Sequence, residues 1–357
     1  MEFFNETQFP AELFRNELEE NFMYNSLLVR VRYQIEINNQ LTLITSGEKA
    51  LKDIRREPVE DDEFGIIEAD LFFPRTATDL IILGNAISTK GPVSQMSVNV
   101  SVGPYDETLI VTGDRIWEKR LMSKSLYPSP PELFESMPLK YDLAFGGSVV
   151  TPQGEHPYPS NPIGKGYYIS KNEALGNPMP NIENPNDMLI EWKEPKKRKE
   201  QDFLNIQRDP VGFAPYPTNW ALRLLKIIEW DQTLQGKLNV EDPELLAQQI
   251  ESIDFNPDNG MFDRAHPRLS GKQIIPGQNL KLTGMSSKGT IIEFQIPEPS
   301  FELMVRLEDD VFTRDLELEE VFIDLRESIV DFSFRKLFDY EIIPYQIRQT
   351  TLKYKSE

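Results

Sequence analysis

The chain has 357 residues, 39% hydrophobic and 27% charged, which is material for roughly two domains and a large core, and too apolar for a disordered polypeptide. It has no cysteine, so disulfides and thiolate metal sites are excluded, as in proteins of a reducing compartment. A net charge of −20 disfavours nucleic acid as a direct ligand, because phosphate neutralisation needs Lys and Arg to dominate a surface; it favours solubility and attraction of a basic protein partner.

The opening segment MEFFNETQFPAELF has acidic residues where a signal peptide has a basic region. No stretch approaches the ~20 apolar residues of a membrane span, so no membrane insertion is expected and the location expected is cytoplasmic. Val29, Val31, Tyr33, Ile35 and Ile37 alternate with Arg30, Arg32, Gln34 and Glu36, which predicts a strand with one apolar and one charged face. Asn38-Asn39 turns the chain and residues 41–45 return. Further strands are predicted over 66–73, 79–87, 95–102 and 108–112, with a turn at Gly103-Pro104-Tyr105-Asp106. Short strands at hairpin spacing predict an antiparallel, sandwich-like lobe over residues 1–122.

Residues 123–217 change texture. Prolines recur with Gly and Asn, which disfavours the interiors of helices and sheets. Aromatics interrupt this stretch regularly (Tyr127, Tyr141, Phe145, Tyr158, Tyr167, Tyr168), so it is expected to be ordered and packed across the β-lobe. The basic run 193–199 is expected to be a solvated loop, and the Lys-rich segment 193–201 to be mobile. Residues 218–357 read as an α+β lobe. A helix is predicted over 218–232, with Thr218 as N-cap and Trp220, Leu224, Ile227 and Ile228 on one face. A second is predicted over 242–251, with Asp242 capping and Pro243 at the first helical position. Strands follow over 280–282, 290–295, 301–307, 316–324 and 328–334. The fold class expected is α+β and β-rich.

The densest motif is YDLAFGGSVVTPQGEHPYPSNPIGKGY over residues 141–167. It has the composition of a shaped backbone, with only Ser148 and His156 as reactive side chains. Neither His156 nor His266 belongs to an H-x-x-x-H or H-E-x-x-H pattern, and both read as hydrogen-bonding residues. The FGGS sequence is not a G-x-S-x-G elbow, and Gly164-Lys165-Gly166 lacks the remaining spacing of a phosphate-binding loop. The DFNPDNG sequence at 254–260 fails as a calcium loop: Gly260 falls one place late, Pro257 stiffens the turn, and Ala265 stands where a bidentate Glu is needed. Carboxylates are so abundant that a pair suited to glycoside hydrolysis has no specific spacing to mark it. No catalytic residue, cofactor, metal or small-molecule substrate is assigned. The aromatics of 141–168 have two readings, core plugs under a long loop or exposed anchors for a partner. Gly146-Gly147 permit positive φ or close backbone approach, and Asp114 with Arg115 is expected to form an ion pair pinning the loop to the β-lobe.

Several short elements occur in order: LLVRVRYQI at 27–35, Thr78-Asp79 opening an apolar run to Gly84, Val111-Thr112-Gly113-Asp114-Arg115-Ile116-Trp117, Ala144-Phe145-Gly146-Gly147, Asn161 to Tyr167, Pro180-Asn181-Ile182-Glu183, and Pro210-Val211-Gly212-Phe213 followed by Trp220. Together they resemble the effector-adaptor family of type VI secretion systems, long catalogued as a domain of unknown function, over residues 20–340. The chain departs from that family's pattern in ALRLLKIIEWDQ at 221–232 and in Phe334-Arg335, which mark a divergent branch. The resemblance implies a bacterial, cytoplasmic, non-enzymatic adaptor-chaperone. It would bind a cognate type VI effector, PAAR-containing or a toxin, and assist its loading onto the VgrG spike. The alternatives are a structural component retained on the spike tip and a carboxylate-dependent β-sandwich carbohydrate-active enzyme. The signature residues implied as a candidate binding surface are Asp114, Arg115, Trp117, Tyr141, Phe145, Gly146, Gly147, Asn161, Pro162, Gly164, Gly166, Tyr167, Asn181 and Glu183. They are expected to be mainly architectural.

Overall fold

A computed structural model describes residues 1–19, 21–152, 154–193, 208–238, 259–289 and 291–354. The chain is β-rich: of the described residues, 45% are in strands and 7% in helices, so sheets and not helices carry the core.

The largest sheet has seven strands. Its spatial order is Ser270–Gly271, Thr78–Leu83, Glu317–Asp324, Ile329–Glu341, Phe22–Ile35 and Ala11–Glu19, with Leu41–Leu43 pairing beside Phe22–Ile35. Thr78–Leu83 runs parallel to Glu317–Asp324, and the other neighbours are antiparallel. Register explains its two faces. One row across the sheet is Leu80, Val321, Phe332 and Val31, wholly apolar. The adjacent row is Asp79, Glu320, Ser333 and Arg30, wholly polar. Side chains alternate along a strand, so one face is hydrocarbon and the other is charged. The charged face is not turned to water: Asp79, Glu320, Ser333 and Arg30 are all buried.

A five-stranded sheet has the order Ile182–Glu183, Tyr105–Thr112, Gln95–Val102, Asn279–Thr283 and Ile292–Gln295. The Gln95–Val102 and Tyr105–Thr112 strands are joined by the two-residue turn Gly103-Pro104, tighter than the four-residue turn expected, with Gly103 at φ +53. A four-stranded sheet joins Glu2–Asn5, Arg348–Tyr354, Phe301–Leu307 and Asp310–Arg314. Each of the three sheets draws strands from the spans 1–122 and 218–357, and one continuous apolar core runs through all three.

Local differences from expectation have local causes. The strand expected over 66–73 is only Gly65–Ile67, because carbonyls beyond it accept from arginines: Glu68 from Arg55 (3.0 Å) and Leu71 from Arg335 (2.9 Å). The strand over 79–87 is split into Thr78–Leu83 and Asn85–Ile87 at Gly84, where a Cβ would stand 2.9 Å from Leu325 Cδ1. The helix expected over 218–232 is Ala221–Leu238. Thr218 precedes it, with its hydroxyl given to Glu68 and not to the helix end. On this helix Arg223 is buried while Ile228 is exposed, since Arg223 is drawn inward by Glu68. The strand expected over 328–334 extends to Glu341. The helix expected over 242–251 lies outside the described residues, as do Thr290, most of the basic run 193–199 and most of the DFNPDNG segment.

The Pro-rich region is ordered where described. It is built from short ladders: Trp117–Lys119 with Leu126–Pro128, Ser136–Pro138 with Asn85–Ile87, Ser148–Thr151 with Gly154–Pro157, and Phe145–Gly146 with Lys165–Gly166. A four-residue helix, Lys171–Ala174, starts with a capping box between Ser170 and Glu173. Leu139, Tyr141, Ala144 and Ile182 join the main core, so the region is packed onto the sheets. Among the described residues no helix is long and apolar enough to cross a membrane.

Candidate functional site

The signature residues fold into one interlocked scaffold. Strand Tyr105–Thr112 pairs with Ile182–Glu183 and delivers Arg115 to Glu183, with Nη2 2.5 Å from Oε2 and 2.8 Å from the Pro180 carbonyl. The ion pair expected between Arg115 and Asp114 is therefore not formed: adjacent side chains leave the strand end on different sides, and Arg115 turns inward. Asp114 stays exposed. It accepts from Asn181 Nδ2 at 2.9 Å and meets Lys165 Nζ at 3.4 Å, and the Asn181 bond holds its carboxyl below the usual range.

Asn161 is buried at the centre of the double-glycine loop. Its Nδ2 donates to the carbonyls of Tyr141 (2.8 Å) and Phe145 (3.1 Å), and its own carbonyl accepts from Gly147 N (2.8 Å). A Cβ on Gly146 would stand 2.1 Å from the Asn161 carbonyl oxygen, and one on Gly164 2.4 Å from Asn161 Nδ2. The glycine spacing is thus a requirement for close backbone approach. Gly166, at φ +98, lies against Pro180.

The aromatics are plugs. Tyr141 packs edge-on against Tyr216 (5.6 Å) and Trp220 (5.2 Å), Phe145 against Tyr158 (5.1 Å), and Trp117 against Trp192 (5.7 Å). Tyr141, Tyr158, Tyr167 and Trp117 are buried. Of the signature set, Asp114 is exposed, Phe145, Pro162 and Gly164 are half-buried, and the others are buried. Exposed apolar side chains lie nearby. Leu121 and Met122 are 95% and 97% exposed in the turn of the Trp117–Pro128 hairpin, and Val150 and Ile163 are also exposed. Sequence reasoning passed over them; the sign was an adjacent Leu-Met pair inside the polar run KRLMSKS.

The histidines are settled by their surroundings. His156 is exposed and bonded to Thr151 Oγ1 at 2.9 Å. His266 is buried and caps the short turn Pro267–Leu269, its Nδ1 accepting from Arg268 N. Burial, reinforced by Arg268, pushes its pKa down to about 4, so it stays neutral.

A second cluster escaped the sequence entirely. On the polar face of the seven-stranded sheet, Arg30 Nη2 lies 2.8–2.9 Å from both Asp70 oxygens. Arg75 reaches Asp79 at 3.0 Å and Glu320 at 2.5 Å. Arg335 meets Glu319 at 2.6 Å, and Arg223 meets Glu68 at 2.6 Å. Arg264 lies 3.5 Å from Glu68 and from Asp70. Burial alone would push the Asp70 carboxyl up, but Arg30, Arg55 and Arg264 outweigh it and hold it well below the usual range. Asp79 goes the other way: burial, with Asp263 adding to it, exceeds the pull of Arg75 and raises it to about 6. This layer ties segments 68–79 and 260–264 to the sheet. Its carboxylates are paired with arginines; Asp70, Asp79 and Glu320 are buried, while Glu68 and Glu319 line the pockets at the margin of the layer. Among the described residues no group of His, Asp and Glu is placed to hold a metal ion.

A family model described as an uncharacterized protein conserved in bacteria (DUF2169) matches residues 23–335. The chain belongs to this family. The matched span takes in the opening core strand, the arginine–carboxylate layer and the whole double-glycine scaffold. No curated protein and no solved structure matches the chain.

Proposed function

We propose that this member of the family is a cytoplasmic, non-enzymatic adaptor-chaperone that binds a cognate type VI secretion effector and assists its loading onto the VgrG spike. The observation that carries this reading is the scaffold around Asn161. Residues that resemble the effector-adaptor signature are used to stiffen a loop region whose turns carry exposed Leu121, Met122, Val150 and Ile163. A rigid platform with apolar tips suits stoichiometric protein binding, since pre-ordered loops reduce the entropy lost on association. Two further features support it: the buried carboxylates are held by arginines, and the net charge of −20 favours a basic cargo. The cargo contact would be a PAAR-like or N-terminal region of the effector, and a specific interface should bury at least about 1,000 Å².

The test is affinity capture of the tagged full chain from its native cytoplasm, with mass spectrometry of co-purifying proteins. Recovery of a PAAR-containing or toxin-like protein is the expected result. An effector that reaches the spike equally well in cells lacking this protein would sink the proposal.

A further inference from the structure

We infer that the free edge of the four-stranded sheet, strand Asp310–Arg314, is a docking site for an extended basic peptide that adds as a fifth strand. Among the described residues, the order Glu2–Asn5, Arg348–Tyr354, Phe301–Leu307, Asp310–Arg314 leaves this strand with one neighbour. It is joined to Phe301–Leu307 by the two-residue turn Glu308-Asp309, with Glu308 at φ +53, and the register runs Leu307↔Asp310, Arg306↔Val311, Val305↔Phe312, Met304↔Thr313. In such a hairpin the pair closing the turn is hydrogen-bonded and bonded pairs alternate thereafter. Asp310, Phe312 and Arg314 therefore direct their backbone groups into the sheet, and Val311 and Thr313 direct theirs outward. Among the described residues neither Val311 nor Thr313 makes a further backbone hydrogen bond, and only the Thr313 carbonyl is engaged, by Arg314 Nη1 at 3.0 Å.

Sheet edges of this kind are normally blunted by lysines, prolines or bulges. The long edge Ala11–Glu19 is blunted in this way: its register shifts between Asn16 and Glu19, and Arg56 pairs with Glu12. Strand Asp310–Arg314 has no Lys, Pro or bulge, and its Val311 is 55% exposed. Charge names the occupant. Exposed Asp309, Asp310 and Asp315 have no ion-pair partner among the described residues, so the strand ends present free carboxylates to whatever lies along the edge. The groove that opens after the strand has an apolar wall of Leu316, Ile274 and Pro276, but Lys272, Arg335 and Lys336 also line it, so an apolar side chain of the peptide is expected there and its basic residues along the strand. Main-chain pairing supplies affinity in this mode, and alternate side chains supply selectivity. The peptide expected is extended, with Lys or Arg interleaved with β-branched residues. This inference stands independently of the adaptor reading, because it concerns a different sheet and makes no use of the Asn161 scaffold.

The experiment is selection of short random peptides on the full chain, followed by hydrogen exchange of the bound complex. The expected result is basic, β-prone peptides that slow exchange at the Val311 and Thr313 amides. Val311→Pro removes an outward-facing N–H without touching the internal ladder, and should weaken binding about tenfold while leaving the urea midpoint in place. If that variant folds poorly, N-methylation of alternate peptide amides tests the same pairing on the unaltered protein and should weaken binding about as much. Reversing charge with Asp309→Lys and Asp315→Lys should select against the basic peptides. Failure to enrich any peptide, enrichment of acidic ones, protection elsewhere on the chain, or binding indifferent to both backbone blocks would overturn the inference.

Discussion

The arginine–carboxylate layer and the double-glycine scaffold are both buried polar assemblies, yet they are held by opposite means. In the first, long charged side chains reach across strands and cancel one another: Arg75 with Glu320, Arg30 with Asp70, Arg335 with Glu319. In the second, side chains are removed so that backbones approach, and a neutral amide, Asn161, fills the space. A charged layer is sensitive to loss of a partner and to pH, whereas a close-approach scaffold is sensitive to added atoms. Among the described residues, Arg115 with Glu183 is the ion pair that belongs to the scaffold and is buried like the layer.

The largest effect is expected in the layer. Glu320→Ala leaves Arg75, Arg30 and Arg55 short of a buried counter-charge and should cost about 3–5 kcal/mol, read as a fall in the urea midpoint. A cost below about 1 kcal/mol would show that water enters the layer and relieves it. In the scaffold, Gly146→Ala places a methyl against the Asn161 carbonyl and should cost about 2–4 kcal/mol, with Gly65→Ala at an open turn as the control that separates crowding from backbone strain.

The pH dependence sharpens the comparison further. Asp79 has a folded-state pKa raised from 3.8 to about 6, so its contribution is present in acid and is lost as pH rises through that interval. His266 has a pKa depressed from 6.5 to about 4, so its contribution is lost as pH falls through its own interval. The two slopes oppose each other between about pH 4 and 6. Asp79→Asn should therefore leave a protein whose stability rises more steeply with pH across that range, and His266→Gln one whose stability rises less steeply or falls. Urea midpoints at three pH values decide it, and parallel curves for the three proteins would refute the assignment. The smallest effect belongs to the rim of the scaffold. Lys165→Met removes a partner of exposed Asp114 and should change stability by less than about 0.5 kcal/mol.

Much of the fold was legible. Gln95–Val102 and Phe301–Leu307 fall where their alternation places them, and the turn at Asn39 has the positive φ that its Asn-Asn sequence suggests. Alternation works there because each strand has one face in the core. It misled at Arg30, where a charged face looked like a solvent face and is instead covered by segment 68–76. Strand Thr78–Leu83 reads as apolar with Asp79 as an anomaly; only its register opposite Glu320 shows that the anomaly is one member of a row. In the candidate site, the glycines and Asn161 announced a shaped backbone, but which oxygen each glycine approaches lies beyond local sequence. Leu121 and Met122 left only an adjacent apolar pair in a polar run as their sign, because exposure of such a pair is a property of the surface around it.

The sequence by itself determined the β-rich class, the strands with a two-residue period, the want of thiol chemistry, the acidity and the glycine positions that demand a bare backbone. These are properties of residues and their near neighbours, and steric and solvation rules act on them directly. Tertiary structure decided which strands share a sheet, that Arg115 pairs with Glu183 and not Asp114, and that eleven charged groups of the layer (Arg30, Arg55, Arg75, Arg223, Arg264, Arg335, Glu68, Asp70, Asp79, Glu319 and Glu320) meet in one place. Those residues are separated by up to hundreds of positions, and a charge brought out of water selects its partner by distance in space, which is set by the register of remote strands for Arg30, Asp79, Glu320 and Arg335 and by the packing of loops and a helix over the sheet for Glu68, Asp70, Arg223 and Arg264.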